Sequence, residues 1–157
     1  MRVGILSDTH DNLPKIEKAV RFFNRQKVGL VLHAGDFVAP FAVERLQKLS
    51  CPWQGVFGNN DGEHDGLQKK SAGRIVSAPL VLDVKGTKIV LVHDLASIDA
   101  KAPDADIVIS GHTHKPEIRK EGHTLFVNPG ECGGWLTGRS TVALADLDLS
   151  AARIITV

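Results

Sequence analysis

The chain has little cysteine: only Cys51 and Cys132 among 157 residues, far apart and with no Cys-x-x-Cys spacing. This excludes a disulfide framework or a cysteine-rich structural zinc site, and predicts a reduced intracellular protein with free thiols. Charge of one sign is also missing. Nineteen Lys and Arg face eighteen Asp and Glu with no basic run. Nothing therefore marks a stripe for nucleic-acid polymers, and any preference for anions has to be local. No apolar run approaches the ~18 residues of a membrane helix, and no basic segment leads into an apolar one at the start. The expectation is no membrane partner and a cytoplasmic location. Repeats, low-complexity tracts and linkers are absent too, which predicts one domain over residues 1–157. What remains is ordinary for a globular chain, 43% hydrophobic and 24% charged, and long enough to bury a real core.

Apolar runs come first as strand, helix, strand. Residues 1–7, with Val3, Ile5 and Leu6, predict a buried strand that ends in Asp8-Thr9-His10-Asp11-Asn12. Pro14 suits the first turn of a helix capped by Asn12 or Asp11 and ending near Gln26, with Ile16, Ala19, Val20 and Phe23 at helical spacing. Residues 28–34 predict a second strand, ending in Gly35-Asp36. Such a unit has parallel strands and a right-handed crossover, so Asp8, His10 and Asp36 share the carboxyl end of one sheet. A helix from about Pro40 to Leu49, with Phe41, Val43, Leu46 and Leu49 inward, leads to a strand over 53–57 that ends in Gly58-Asn59-Asn60-Asp61.

The second half has a different pattern. Residues 62–73 lack a clear period and predict a loop with one helical turn. Residues 81–84 and 88–92 around Lys85-Gly86 predict a hairpin ending at His93-Asp94. A short helix or turn around 97–101 precedes a strand over 106–109. After Pro116 come a hairpin (117–120 and 124–127), a Gly-rich loop and two closing strands over 141–147 and 152–157. Helices crowd the first half and hairpins the second. The predicted fold is mixed α/β: two facing mixed β-sheets with helices packed outside them.

Ser110-Gly111-His112-Thr113-His114 follows the apolar run Ile107-Val108-Ile109. On an extended segment residues two apart share a face, roughly 6–7 Å apart, so both imidazoles would point to one place. Five strand ends now carry hard ligands: Asp8 with His10, Asp36, Asn59, His93, and His112 with His114. A nitrogen and oxygen set without thiolate suits divalent Mn, Fe, Zn, Ni or Co. Seven donors are too many for one such ion and about right for two, with one carboxylate bridging. Two divalent ions against two aspartates and a bridging hydroxide leave a net charge of about +1, which invites an anion. Phosphoester hydrolysis by that hydroxide uses every part.

Asp8-x-His10, Gly35-Asp36, Gly58-Asn59, His93 and Gly111-His112-Thr113-His114 resemble, in order and spacing, the motifs of the calcineurin-like metallophosphoesterases, and the short length and the Gly-His-Thr-His-x-Pro run resemble the family's small bacterial and archaeal phosphodiesterases. The resemblance covers about residues 1–130. It implies an αββα four-layer sandwich, two divalent ions with Mn foremost, and a small phosphodiester or nucleotide-like substrate. It further implies that Asp8, His10 and His114 hold one ion, that Asn59, His93 and His112 hold the other, and that Asp36 bridges. The family's histidine that protonates the leaving group or holds the phosphoryl oxygen is replaced by Asn60, which can donate a hydrogen bond but cannot act as a general acid. That predicts either a bias toward good leaving groups or modest activity throughout, since acid help is worth roughly 10²–10⁴-fold. Asp94 stands where Gly is frequent; it would either orient an imidazole or cap the next turn.

Other residues have plainer expectations. His33 predicts a core histidine, His64 and His123 solvated rings, and Glu63 and Asp65 a charged surface loop. Trp135 predicts a residue packing the Gly-rich loop, with stacking on a substrate ring as the alternative. Glu131 and Arg139 predict either a pair near the phosphate or a surface ion pair, and Cys132 an incidental thiol. Competing readings of the whole are a non-catalytic scaffold that binds proteins, as relatives in eukaryotic membrane-trafficking complexes do, and a nuclease.

Overall fold

Strand β1 (Arg2–Leu6) is apolar on both faces because it lies between two cores: Val3 and Ile5 point to one, Leu6 to the other. The computed structural model describes residues 1–98 and 104–157. After β1, Asn12 caps helix α1 (Leu13–Gln26) by accepting from the Lys15 amide, Pro14 occupies the first turn, and left-handed Lys27 (φ 51°) ends it. Its stripe of Ile16, Ala19, Val20 and Phe23 is buried against the sheet. Strand β2 (Leu30–His33) then runs parallel to β1, as the crossover predicts.

Helix α2 (Pro40–Leu46) is shorter than expected. Ala42, Val43 and Leu46 face inward, whereas Phe41 is 50% exposed and does not join them, a correction that comes from its place on the outer side of the first turn. Strand β3 (Trp53–Val56) is followed by helix α3 (His64–Lys70), where a loop with one turn was expected, and by the two-residue strand β4 (Ile75–Val76). Only Leu67 of α3 is buried, too little to leave a periodic stripe in the sequence.

The hairpin of β5 (Leu80–Val84) and β6 (Thr87–Leu91) turns at Lys85 and Gly86, both with positive φ. A 3₁₀ turn spans Leu95–Ser97; the rest of the element expected over 97–101 includes 99–101, which lie outside the described residues. Then follow β7 (Ile107–Ile109), β8 (Glu117–Glu121), β9 (Thr124–Asn128), β10 (Thr141–Asp146) and β11 (Ala151–Thr156).

The strands form two mixed sheets. One has the order β11-β10-β1-β2-β3-β4, the other β5-β6-β7-β9-β8. In the first, β1 to β4 are parallel and β10 and β11 antiparallel; in the second, β6, β7 and β9 are parallel with an antiparallel strand on either edge. Val3, Ile5, Leu32, Val56, Ile89, Leu91, Ile107, Ile109 and Val127 fill the space between them. The α-helices cover the far face of the first sheet, and a smaller cluster of Val90, Val92, Val108, Leu95 and Ile98 covers the far face of the second. This is the expected αββα sandwich with a thin fourth layer. Its carboxyl strand ends from both sheets meet along one edge, where the polar residues gather.

Candidate metal centre

Six strands deliver side chains to this edge: β1 (Asp8, His10), β2 (Asp36), β3 (Asn59, Asn60), β6 (His93), β7 (His112, His114) and β9, through the loop carrying Glu131. The loops are laced together by backbone bonds: the Asp8 amide to Gly35 O (3.0 Å), the His10 amide to Asp36 O (3.1 Å), the Gly111 amide to His93 O (2.9 Å) and the Gly133 amide to Asp8 O (2.9 Å). Asp8, His10, Asp36, His112 and His114 all have left-handed backbones, with φ of 53°, 39°, 61°, 68° and 59°. Side chains of this kind tolerate that region, yet a cluster of five stores strain that the surroundings must hold. The finding corrects one expectation: His112 and His114 are not on an extended segment. Each turns out of a loop, and their rings reach different groups. Two glycines make room for this packing. A Cβ on Gly111 would strike Ser7 and the Asp8 carboxylate, and one on Gly35 would lie 2.7 Å from His93 Nδ1.

Asp8, His10, Asp36 and His114 bring one donor atom each to within 4.8 Å of the others. His114 Nε2 is 3.3 Å from Asp8 Oδ1, and His10 Nε2 is 3.5 Å from Asp36 Oδ2. Two ligands that each lie about 2.0–2.2 Å from a shared ion sit about 3 Å apart, so little adjustment separates this set from coordination. Asp8 Oδ1 and His10 Nε2 are buried without a hydrogen-bond partner among the described residues. Orphaned acceptors facing each other in a dry site fit a cation.

A second group lies beside the first. His93 Nδ1 donates to Ala34 O (2.7 Å), so in the neutral ring Nε2 carries a lone pair. That lone pair points at Asn59 Oδ1 (2.8 Å) and lies 3.5 Å from Asp36 Oδ1. His112 Nδ1 is 2.9 Å from the same Asn59 oxygen. Acceptors converging in this way again fit a positive charge among them. Asp36, almost fully buried, stands between the two groups with one oxygen toward each. Asn60 holds it there, its Nδ2 donating to Oδ2 (2.7 Å) and its amide to Oδ1 (2.9 Å). Burial pushes the Asp8 carboxyl above its ordinary range, with nearby Asp36 adding to the rise against the Ser7 hydrogen bond and the His93 and His114 charges.

Three residues have supporting roles that the sequence does not show. Buried Asp61 accepts from the Asp36 amide (3.0 Å), the Gly58 amide (2.8 Å) and the Val38 amide (2.7 Å), pinning the loops after β2 and β3 together. Its place in the run Gly58-Asn59-Asn60-Asp61 was the one available signal. Asn128 Nδ2 donates to Gly111 O (2.8 Å) and Thr113 Oγ1 (3.1 Å), fixing the turn that carries both histidines. Glu131 is fully buried, its carboxylate accepting from the amides of Trp135, Leu136 and Thr137 and from the Thr137 hydroxyl, 3.6 Å from His114 Nδ1. Burial raises its pKa, but the bonds from Leu136, Thr137 and Trp135 outweigh that and hold the carboxyl below its ordinary value. Its hydrogen-bond partners among the described residues are three backbone amides and the Thr137 hydroxyl, not Arg139.

The remaining expectations divide. His33 is a core residue: it stacks on Phe37 at 3.7 Å, accepts from the Gly35 amide and donates to Thr9, and burial holds it neutral with its pKa well below the usual value. Asp94 caps the 3₁₀ turn through the Ala96 amide. His64 and His123 are exposed. Cys132 is buried, with burial pushing its thiol up to about 12, and both thiols are free. Trp135 is corrected: it is 64% exposed and does not pack into the core, its indole Nε1 donating to His10 O (3.0 Å).

Carboxylates and imidazoles projecting from the strand ends of two facing sheets form a cluster that could hold a metal ion. Over residues 1–150 the chain matches the model of the calcineurin-like phosphoesterase superfamily domain. It is 34% identical over 163 aligned positions to a phosphodiesterase of Methanocaldococcus jannaschii, covering 99% of this chain and 98% of that one. It is 32% identical to a probable metallophosphoesterase of Methanothermobacter thermautotrophicus, over 83% and 76% of the two chains. The solved structure of an archaeal phosphodiesterase superposes over the full length of both chains with a TM-score of 0.91 at 34% identity. The chain therefore belongs to the calcineurin-like phosphoesterase superfamily and is a hydrolase of that family. The zinc-complexed Vps29 of Entamoeba histolytica, 22% identical with a TM-score of 0.73 over 100% and 98% of the chains, shares the fold.

Proposed function

We propose that the chain is a dinuclear-metal phosphodiesterase acting on small phosphoesters. The observation that carries this is the position of Asp36, whose two oxygens each lie 3.5 Å from an imidazole nitrogen of a different donor group. In this reading Asp8, His10 and His114 hold one divalent ion, Asn59, His93 and His112 the other, and Asp36 both. Such ions supply Lewis acidity at the phosphoryl oxygens and activate a water for in-line attack at neutral pH. The protein's own part is to fix that geometry. Asp61 and Asn60 hold the Asp36 carboxylate, the Ala34 carbonyl sets the His93 tautomer, and Asn128 fixes the turn bearing His112 and His114.

Asn60 has a donor but no transferable proton, so departure of the leaving group goes without general acid help. Aryl diesters should turn over far faster than alkyl ones. The complete donor set favours catalysis over a scaffold role, and the balanced charge favours small substrates over nucleic-acid polymers. Manganese is the ion proposed, with Ni, Zn, Fe and Co as alternatives. A cytoplasmic location is proposed from the cysteine usage; among the described residues no helix is long and apolar enough to cross a membrane.

The test is a panel of aryl mono- and diesters with 2′,3′-cyclic and 3′,5′-cyclic nucleotides, assayed with each metal. Turnover of aryl diesters with Mn²⁺ is expected. No turnover with Mn, Ni, Zn or Fe would overturn the reading.

A further inference from the structure

Among the described residues, two of the most exposed large apolar side chains are neighbours on the loop after β9: Trp135 at 64% and Leu136 at 79%. They line a cavity of about 300 Å³ together with His10, Asn60, His114 and Glu131, directly against one half of the metal centre. Exposed apolar surface on a mobile loop would fold down and bury itself. This loop cannot. The buried Glu131 carboxylate takes the amides of Trp135, Leu136 and Thr137, the Ser140 hydroxyl donates to Cys132 O (2.5 Å), Asn12 Nδ2 donates to Gly133 O (2.7 Å), and the indole is anchored on His10 O. The aromatic face and the leucine are held open beside the reacting centre by a dense set of hydrogen bonds.

Among the described residues the cavity lining holds no Lys or Arg, so it offers nothing there for a second phosphate charge. Its chemistry is a polar floor (His10, His114, Asn60) and an apolar ledge. A phosphoryl group on the metals would place one ester arm over that ledge, and a flat apolar arm gains most there. We propose that Trp135 and Leu136 form a specificity subsite for an aromatic ester arm, so that the substrate class is phosphodiesters bearing an aryl or nucleobase-like group. This rests on the phosphodiesterase reading above.

The test separates the two. Phenylphosphonate and methylphosphonate present the same phosphoryl charge on different arms and are not hydrolysed. Their binding to the Mn²⁺-loaded protein is measured by calorimetry, without turnover. The expected preference for phenyl over methyl is on the order of 10-fold. Trp135→Ala should reduce it to about twofold or less through weaker phenylphosphonate binding alone, and Leu136→Ser, which disturbs no side-chain hydrogen bond, should reduce it in part. Trp135→Phe, which loses the bond to His10 but keeps a ring, should retain most of it. With bis(4-nitrophenyl) phosphate the Trp135→Ala loss should fall on KM more than on kcat. Equal binding of both phosphonates by the wild type, or an equal loss of both in Trp135→Ala with no rescue by Phe, would overturn the subsite. Phenyl preference in a protein that hydrolyses no diester would sink the catalytic reading and leave the subsite standing. Failure to bind either phosphonate would overturn the subsite, while turnover of aryl diesters decides the catalytic reading.

Discussion

Asn60 shows how much one side chain can decide. Its amide holds the Asp36 carboxylate at 2.7 Å, at the place where the family's motif has a histidine. Asn60→His should accelerate alkyl diester hydrolysis by up to about 10²-fold while changing 4-nitrophenyl esters little, because only poor leaving groups need a proton. Equal effects on both would refute that role. Glu131→Gln should loosen the loop and His114 together: Gln offers one acceptor and an NH₂ to a cradle of donors. Urea unfolding should show a loss of about 1–3 kcal/mol, and Mn²⁺ affinity should fall about 10-fold. His33 gives a pH signature. Its folded pKa is depressed by burial, so the unfolded chain binds the extra proton and stability falls as pH drops below about 6.5. In metal-stripped protein the slope should approach about 1.4 kcal/mol per pH unit, and His33→Gln should flatten it. An unchanged slope would contradict the assignment.

At the scale of elements, what could be read from the sequence depended on how each residue is used. Helix α1 was readable because a wide stripe is buried and a cap precedes it; α3 was not, because seven residues bury one leucine. The candidate donors Asp8, His10, Asp36, Asn59, His93, His112 and His114 stood out in the sequence because each follows an apolar strand. Glu131 and Asp61 were hidden because their partners are backbone amides, which no residue pattern reveals. The left-handed backbones were equally silent, since Asp and His adopt that region only when the fold demands it. Trp135 was misread because the sequence could not show that the loop holds it open. The contact between β1 and α1 supplies a prediction of its own. A Cβ on Gly4 would lie 2.6 Å from Phe23 Cδ1, so Gly4→Ala should cost about 1–3 kcal/mol in urea unfolding without altering metal affinity. A neutral result would mean that α1 shifts freely on the sheet.

For the whole molecule, the two sheets are tied at the edge where the loops interlace, and the proposed donor groups draw from both. Metal binding should therefore stabilise the whole fold. With free Mn²⁺ at about 100 times Kd the gain is about 2.7 kcal/mol for each ion bound, or roughly 5–10 °C in Tm per ion for a chain of this size. Chelation should lower Tm while leaving a single transition by fluorescence and circular dichroism; two separated transitions would contradict a single domain. The central claim is that one buried carboxylate joins two donor groups into a dinuclear centre. Its most direct test is the Mn²⁺ stoichiometry of the wild type and of Asp36→Ala, measured on the folded proteins. The account predicts two ions per chain in the wild type, with occupancy of both sites lost together in the variant. One ion per chain in the wild type, or two retained without Asp36, would contradict it.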